Sequence, residues 1–567
     1  MQRKFTLLTI SLSILLALPS PAKAIEPTRD TAIERENAKP GTERWDLKPP
    51  LDPPIEGYAS EGSVAPGQSF HLHIATLHPD DRYRVYVYRL GWYGGDGGRL
   101  MRCLPSPDCD DDAPATRQPA PPPPDPVTGE LSAGWSVTDV LPVGRDWVSG
   151  YYMAVLRVTD GPHDGAVGRI PLIVRGEPGN RSAILVQVPA NTWQAYNQWG
   201  GKSLYTYNST DEVAATTVSF DRPYDEDVLI APVTGVELQA VRFLEREGYD
   251  VTYATDADVD RSPGLLENHR LALSIGHDEY WSARQRDAFD RALETSTNLA
   301  MLGANGAYWQ VRYERSRRSM ARVDLFRSRA IGRPECRLFG VMIEFGALRW
   351  AGFPATPYTP VASRDHPWLA GTGLRRGDDV PGVVGYEWDS LVPGCFPGRV
   401  ERLLHAEPLG VDGLVHPADA VRGVARSGAR VFASGSIEFS WALDGYGSHL
   451  TSQRIQVLME NAIHDLTRPA PPRPVNVTVG NAGVAVRARP RADPRIREIA
   501  VYVHPGAGGF DPETDPGVEL VCQRPSGSCR DRLRRRTVRY AAVAIDRWGR
   551  SEPWFSKPVR AGAPADR

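Results

Sequence analysis

The sequence predicts a multidomain chain, α/β plus all-β, with a central parallel-sheet α/β domain flanked by two β-sandwich domains. Three observations predict it. Between residues 181 and 469, short apolar runs alternate with helical patterns. On either side, apolar and polar residues alternate with the period of two that half-buried strands require. The stretch "RPAPPRP" at residues 468–474 separates the middle from the tail.

Residues 1–24 read as a secretory signal. Arg3 and Lys4 precede an apolar stretch, Phe5 to Leu18, and Ala22-Lys23-Ala24 supplies a small-x-small cleavage site. The apolar stretch is short for a membrane span, and no later segment is long and apolar enough to cross a bilayer. A secreted or periplasmic protein, cleaved near Ala24, is expected. Residues 25–54 are polar and proline-rich, as a linker is. Residues 55–176 carry "SFHLHIAT", "RYRVYVYRLGWYG", "YYMAVLRVTD" and "GRIPLIVRG", all strand-like, around a Pro- and Asp-rich insertion that cannot pack a core.

From residue 181 to 469 the α/β pattern takes over. "SAILVQVPA" is a short, nearly continuous apolar run, as a buried parallel strand requires. In "VTGVELQAVRFLEREG", Val236, Ala240, Val241 and Leu244 share a helix face that stops at Gly248. "YDVTYAT", "HRLALSIG", "NLAMLGAN" and "RVFASGS" read as further strands. Ser282 and Gln285 form a capping box for a helix through Leu293. Ile455, Leu458, Met459, Ala462, Ile463 and Leu466 line one face of a last helix. Residues 470–567 return to strand patterns. They resemble a fibronectin type III module, chiefly in the final strand "VRYAAVAIDRWGRS".

Charge and cysteine narrow the function classes. With 66 basic and 69 acidic residues, the chain has no general affinity for nucleic acid or an anionic membrane surface. Six cysteines in an exported chain predict the bridges Cys103–Cys109, Cys336–Cys395 and Cys522–Cys529. No Cys follows a strand of the middle domain in a nucleophile position, which excludes a thiol amidotransferase. No GxSxG elbow occurs. The "GGKS" at Gly200–Ser203 lacks the first glycine of a phosphate loop, because Tyr196 stands there.

In open α/β sheets, ligands bind beyond the carboxyl ends of the strands. Four clusters fall there: "NTWQAYNQWGG", "GHDEYW", "GANGAYW" and "SGSIEFSW". His277 and Glu279, two apart at a strand-to-helix turn, have the chemistry to bind a metal or handle protons. The same residue types also suit a helix start. Asn305 after a Gly-Ala step suits either a substrate carbonyl or a local turn. Tyr196 and its aromatic neighbours suit either a pocket wall or packing.

The motifs "SGYY", "NTWQAYN", "GHDEYW" and "GANGAYW" resemble, in order and spacing, the C-terminal region of the large (beta) subunit of N,N-dimethylformamidase, over residues 55–470. The resemblance implies a glutamine-amidotransferase-like middle domain without the amidotransferase Cys. It further implies an iron-dependent amidohydrolase whose mononuclear ferric ion is held by two Tyr and one Glu. Matched by position, Tyr152, Tyr196 and Glu279 are the implied metal ligands, with His277 and Asn305 as the implied catalytic residues. The implied partners are a small amide-like substrate and either a small partner subunit or a second copy of the chain. The export signal and the fibronectin-like tail depart from the characterised enzyme, so a different substrate is expected. Two other readings stand beside this one. One is a non-catalytic cell-surface or glycan-binding protein, which 14 Trp would suit; the other is a carbohydrate-active enzyme on the same scaffold.

Overall fold

The computed structural model describes residues 31–468, apart from 51, 226–228, 296, 350–355, 363–365 and 449, together with short stretches between 476 and 561. The expected signal at residues 1–24 lies outside the described residues.

The first strands form two antiparallel sheets. Ile55–Ala59, Ser69–Thr76 and Asp139–Pro142 make one, and Gly98–Leu104, Arg82–Leu90, Gly150–Asp160 and Val167–Val174 make the body of the other. Their inward residues, among them Phe70, Leu72, Val85, Val87, Ala154 and Leu156, form one apolar cluster, as a sandwich requires. In the tail, the sheet containing Asn476–Val479 faces the sheet containing Glu498–Pro505 and Val538–Asp546 across a core of Val477, Val501, Cys529 and Tyr540. All three expected disulfides form.

The middle of the chain carries a nine-stranded sheet. Its order is Val251–Thr255, Ile184–Val188, Leu271–Gly276, Asn298–Gly303, Arg430–Ala433, Ala418–Ala425, Gly398–Ala406, Thr356–Pro360 and Val380–Val384. The first four pairings are parallel. The remaining four are antiparallel. The expectation of a central parallel-sheet, glutamine-amidotransferase-like α/β domain is therefore corrected: the sheet is mixed, and the chain is mostly β, with 38% strand against 20% helix. Two physical reasons account for the error. The antiparallel strands Val341–Leu348, Thr356–Pro360, Val380–Val384, Glu387–Leu391, Gly398–Ala406 and Ala418–Ala425 carry no strand pattern read from the sequence. Several helices between the parallel strands are also too short to cover a face; Ala190–Tyr196 has 7 residues and Asp256–Arg261 has 6.

The longer helices form where their patterns place them, except that Val236 precedes its helix and lies in a π-helical stretch, Leu229–Glu237. Ser282 caps Ala283–Glu294 through a full capping box with Gln285. Gln453–Thr467 buries Ile455, Leu458, Met459, Ala462, Ile463 and Leu466. Leu238–Arg246 buries Ala240, Val241 and Leu244 against the same large core. Together they fix the sheet whose strand ends carry the site.

Candidate active site

The turn after Leu271–Gly276 places the central residues. Gly276 takes φ +66°, which frees the chain to leave the strand sharply. Asp278 then points inward as an anchor. It accepts hydrogen bonds from Gln187 at 2.6 Å, Ser274 at 2.8 Å and Trp281 at 2.7 Å. Its neighbours His277 and Glu279 are buried and grouped with another set of side chains. The Glu279 amide donates to Thr192 Oγ1 at 3.0 Å, tying this turn to the helix that ends at Tyr196.

Tyr196 lies 2.9 Å from Glu279 Oε2 through its hydroxyl. A second phenol, Tyr205, lies 2.9 Å from the same oxygen, 3.1 Å from Oε1 and 2.9 Å from the Tyr196 hydroxyl. Tyr280 donates to the Tyr205 hydroxyl at 2.7 Å. Gly200 and Gly201, at φ +72° and +81°, turn the chain so that the Leu204 amide reaches the Ala195 carbonyl at 3.0 Å. That return brings Tyr205 beside Tyr196. The "GGKS" segment is thus a turn that delivers a phenol, and Lys202 donates to the backbone carbonyl of Val213 at 2.7 Å.

His277 Nε2 lies 3.4 Å from Glu279 and 3.3 Å from Glu387, distances of ion pairing without an aligned hydrogen bond. Its Nδ1 meets the Tyr386 hydroxyl at 3.0 Å. Asn305 donates through Nδ2 to Glu387 Oε2 at 2.9 Å, and its amide donates to Asp389 at 2.9 Å. Asn305 adopts φ +53°, a left-handed conformation that Asn tolerates better than most residues. The hairpin of Val341–Leu348 with Glu387–Leu391 supplies Glu387 and Asp389.

Tyr196, Glu279, His277 and Asn305 therefore come together. Tyr152 does not. Its hydroxyl donates to the Val148 carbonyl at 2.7 Å, its ring stacks on Trp147 at 5.1 Å, and it sits in the sandwich core. The implied Tyr152 ligand is corrected on this placement. Alternation along Gly150–Asp160 explains it: Tyr151 takes the opposite face and donates to Glu237 at 2.7 Å. Sequence reasoning missed Tyr205, Glu387 and Tyr386. The double glycine five residues before Tyr205 was the available signal. The segment that bears Glu387 and Tyr386 carried none.

The N,N-dimethylformamidase beta subunit-like, C-terminal family model matches residues 84–452, more than half of the chain. The chain belongs to this family. No curated protein matches it. Among solved structures, this member of the N,N-dimethylformamidase beta subunit-like family is similar to a human fourth FNIII domain, at 16% identity over 18% of this chain and 82% of that one, with a TM-score of 0.14. It is also similar to a putative ThuA-like protein from Parabacteroides merdae, at 10% identity over 50% of this chain and 88% of that one, with a TM-score of 0.25. Scores this low carry no argument about fold.

Burial and mutual charge set the protonation pattern of the family member's cluster. Burial, with the Glu279 charge, raises both Tyr196 and Tyr205 well above the ordinary phenol value. Glu279 is pushed up to about 7, by burial first and then by the Glu387 charge. Burial opposes charge on His277, but Glu387 and Glu279 outweigh it and hold its pKa at about 9. Burial also opposes charge on Glu387, and the His277 cation outweighs it, so that carboxyl sits below its usual value. Among the described residues, no group of three or more His, Cys, Asp or Glu is placed to hold a metal ion. The convergent donor set is instead two phenols and one carboxylate.

Proposed function

We propose that the protein is an exported hydrolase of amide-like C–N bonds that uses one ferric ion. The observation that carries this reading is the meeting of Tyr196 and Tyr205 on the Glu279 carboxylate. All three are hard oxygen donors, which suit a ferric ion better than a soft metal. Two phenols kept protonated by burial fit the same reading, because a trivalent cation is the kind of charge that displaces such protons. Tyr196, Tyr205 and Glu279 would hold the ion; bound there, it would supply Lewis acidity toward a carbonyl and a lowered pKa for water.

The chain's own residues supply the remaining roles. Glu387 and Glu279 keep a proton on His277, and Tyr386 at Nδ1 orients the ring so that Nε2 faces the two carboxylates. Nε2 is thus the atom that hands a proton to the departing nitrogen. Burial of His277 and Glu279 excludes bulk water from that transfer. Glu387 braces both His277 and Asn305. Export is supported by three disulfides and no free cysteine among the described residues.

The test is turnover of formamides and other simple amides by the mature chain loaded with iron. Release of amine that stops on iron removal is the expected result. No turnover of any amide by fully loaded protein would overturn the reading.

A further inference from the structure

A cavity of about 220 Å³ lies where the first sandwich meets the middle domain. Ser60, Trp193, Tyr224, Arg261, Arg317 and Arg318 are among its lining residues; Tyr196, Tyr205, Glu279, His277 and Glu387 are not. Ser60 follows the strand Ile55–Ala59, and His73 stands on its antiparallel neighbour Ser69–Thr76. Ser60 Oγ meets His73 Nε2 at 2.7 Å, and His73 Nδ1 meets the Trp135 carbonyl at 2.9 Å. A carbonyl only accepts, so Nδ1 carries the ring proton. Nε2 of the neutral ring is then an acceptor, and the Ser60 hydroxyl donates to it. Tyr58 stacks flat on the imidazole, with ring centroids 4.5 Å apart and planes within 3°. The base is thus buried, fixed in tautomer and fixed in orientation, while the half-buried hydroxyl it holds stands at the cavity wall.

Three guanidinium groups give the cavity a chemical preference. Arg261 pairs with Asp258 at 2.9 Å, Arg317 with Asp260 at 2.7 Å, and Arg318 with Asp221. These three carboxylates stand outside the lining, so the cations are held from behind. Arg318 Nη2 also donates to the Ala59 carbonyl at 3.3 Å, which sets its guanidinium one residue from Ser60. Glu61 lines the cavity too, but its carboxylate is taken up by the ring and the backbone amide of His71, at 2.7 and 2.8 Å. We propose that Ser60 and His73 form a second catalytic site, an esterase dyad for small esters whose acyl part ends in a carboxylate. Ser60 Oγ attacks the ester carbonyl carbon as its proton passes to His73 Nε2. The C–O bond to the alcohol breaks, and His73 gives the proton to the departing oxygen. Water then adds to the acyl carbon through the same base, the acid leaves, and Ser60 recovers its proton. The Trp135 carbonyl orients the imidazole as a carboxylate does in a Ser-His-Asp triad, without that group's charge. Arg318 is the cation nearest the attack, and Arg261 and Arg317 bind the substrate's carboxylate.

The experiment labels the full mature chain with diisopropyl fluorophosphate, a probe that phosphorylates activated serines with loss of fluoride. Peptide mass spectrometry then locates the adduct. The proposal expects it on Ser60. His73→Phe keeps a flat ring under Tyr58 and removes the base, so labelling should slow about 10²–10⁴-fold. A serine that merely satisfies a buried imidazole would not react in either protein. The substrate class is read from release of para-nitrophenol, with the no-protein rate subtracted. The mono(para-nitrophenyl) ester of adipic acid is compared with para-nitrophenyl hexanoate, which has the same chain length and no carboxylate. The charged ester should be preferred by about tenfold or more, the worth of one charge-assisted hydrogen bond. Absence of a Ser60 adduct in the wild type overturns the dyad, and that result needs no variant to fold. Labelling of Ser60 that is as fast in His73→Phe as in the wild type overturns it too. Equal turnover of the two esters, or preference for the hexanoate, overturns the substrate class.

Discussion

Tyr196 and Tyr205, 9 residues apart in the chain, bring their hydroxyls within 2.9 Å of each other and share the Glu279 carboxylate. Neither phenol alone marks a site, since buried tyrosines usually pair their hydroxyl with some acceptor. Two phenols on one buried carboxylate, with an imidazole 3.4 Å away, make a donor set that packing does not require.

Gly303→Ala should damage this site from behind. A Cβ at Gly303 would lie 1.9 Å from the Gly276 carbonyl oxygen, and Gly276 opens the turn that carries His277 and Glu279. The contact is backbone to backbone, so no side chain can move aside. Overpacking of this kind costs about 1–3 kcal/mol. Urea denaturation should show the loss, and amide turnover should fall with it. A variant as stable and active as the wild type would show that the two strand ends separate freely.

Asp465 gives the fold a dependence on acid. It lies 2.7 Å from Arg430, 3.4 Å from Arg422 and 2.5 Å from Arg468. Burial opposes its charge, but the three guanidinium groups outweigh it and hold the carboxyl well below the usual range. A depressed carboxylate contributes stability that is present above its unfolded pKa of about 4 and is lost as pH falls through the folded value. Asp465→Asn should cost about 3–5 kcal/mol at pH 7, because it removes the carboxylate charge that the three guanidinium groups share. In urea titrations, the gap between variant and wild type should shrink steadily below about pH 4. A gap that is constant down to pH 2 would contradict this account.

The Cys336–Cys395 bridge spans 59 residues and ties the short helix Cys336–Phe339 to the turn before Gly398–Ala406. A loop of that length gives the bridge a stabilising effect of about 4 kcal/mol on the chain-entropy model. Cys336→Ala with Cys395→Ala should lower the unfolding midpoint while the iron content stays the same. Loss of iron in that double variant would mean the bridge positions the site as well as stabilising the fold.

Much of the fold was legible, and its errors have definite causes. Nearly continuous apolar runs such as residues 184–188 and 271–276 announced buried strands, because a strand covered on both faces is apolar at most positions; Gln187 and Ser274 are the polar exceptions, and both bond Asp278. The capping box at Ser282 was local chemistry and formed as written. The antiparallel half of the central sheet was not legible, since Gly398–Ala406 exposes or half-exposes most of its residues and shows no apolar run. The site followed the same rule. His277 and Glu279 stand two apart on one turn, and local spacing found them. Glu387 reaches His277 across 110 residues of chain, a contact that only tertiary structure makes. Tyr152 matched by order in the chain, but alternation along its strand turns it into the sandwich core, where its hydroxyl serves the Val148 carbonyl.

His277→Ala should keep the metal and lose turnover, because His277 is assigned a proton and no ligand role. A general acid–base residue contributes about 10²–10⁴-fold in rate. Steady-state kinetics on iron-loaded protein would show the drop in kcat. Equal turnover in the variant and the wild type would remove His277 from the reaction.

The central claim is most directly tested by the iron content of the purified mature chain and of two phenylalanine variants, measured by elemental analysis after reconstitution. The account predicts about one iron per wild-type chain, bound iron lost in Tyr205→Phe, and full iron retained in Tyr152→Phe, whose hydroxyl serves only the Val148 carbonyl. Iron that survives Tyr205→Phe and disappears in Tyr152→Phe would contradict it, as would a wild-type chain that takes up no iron.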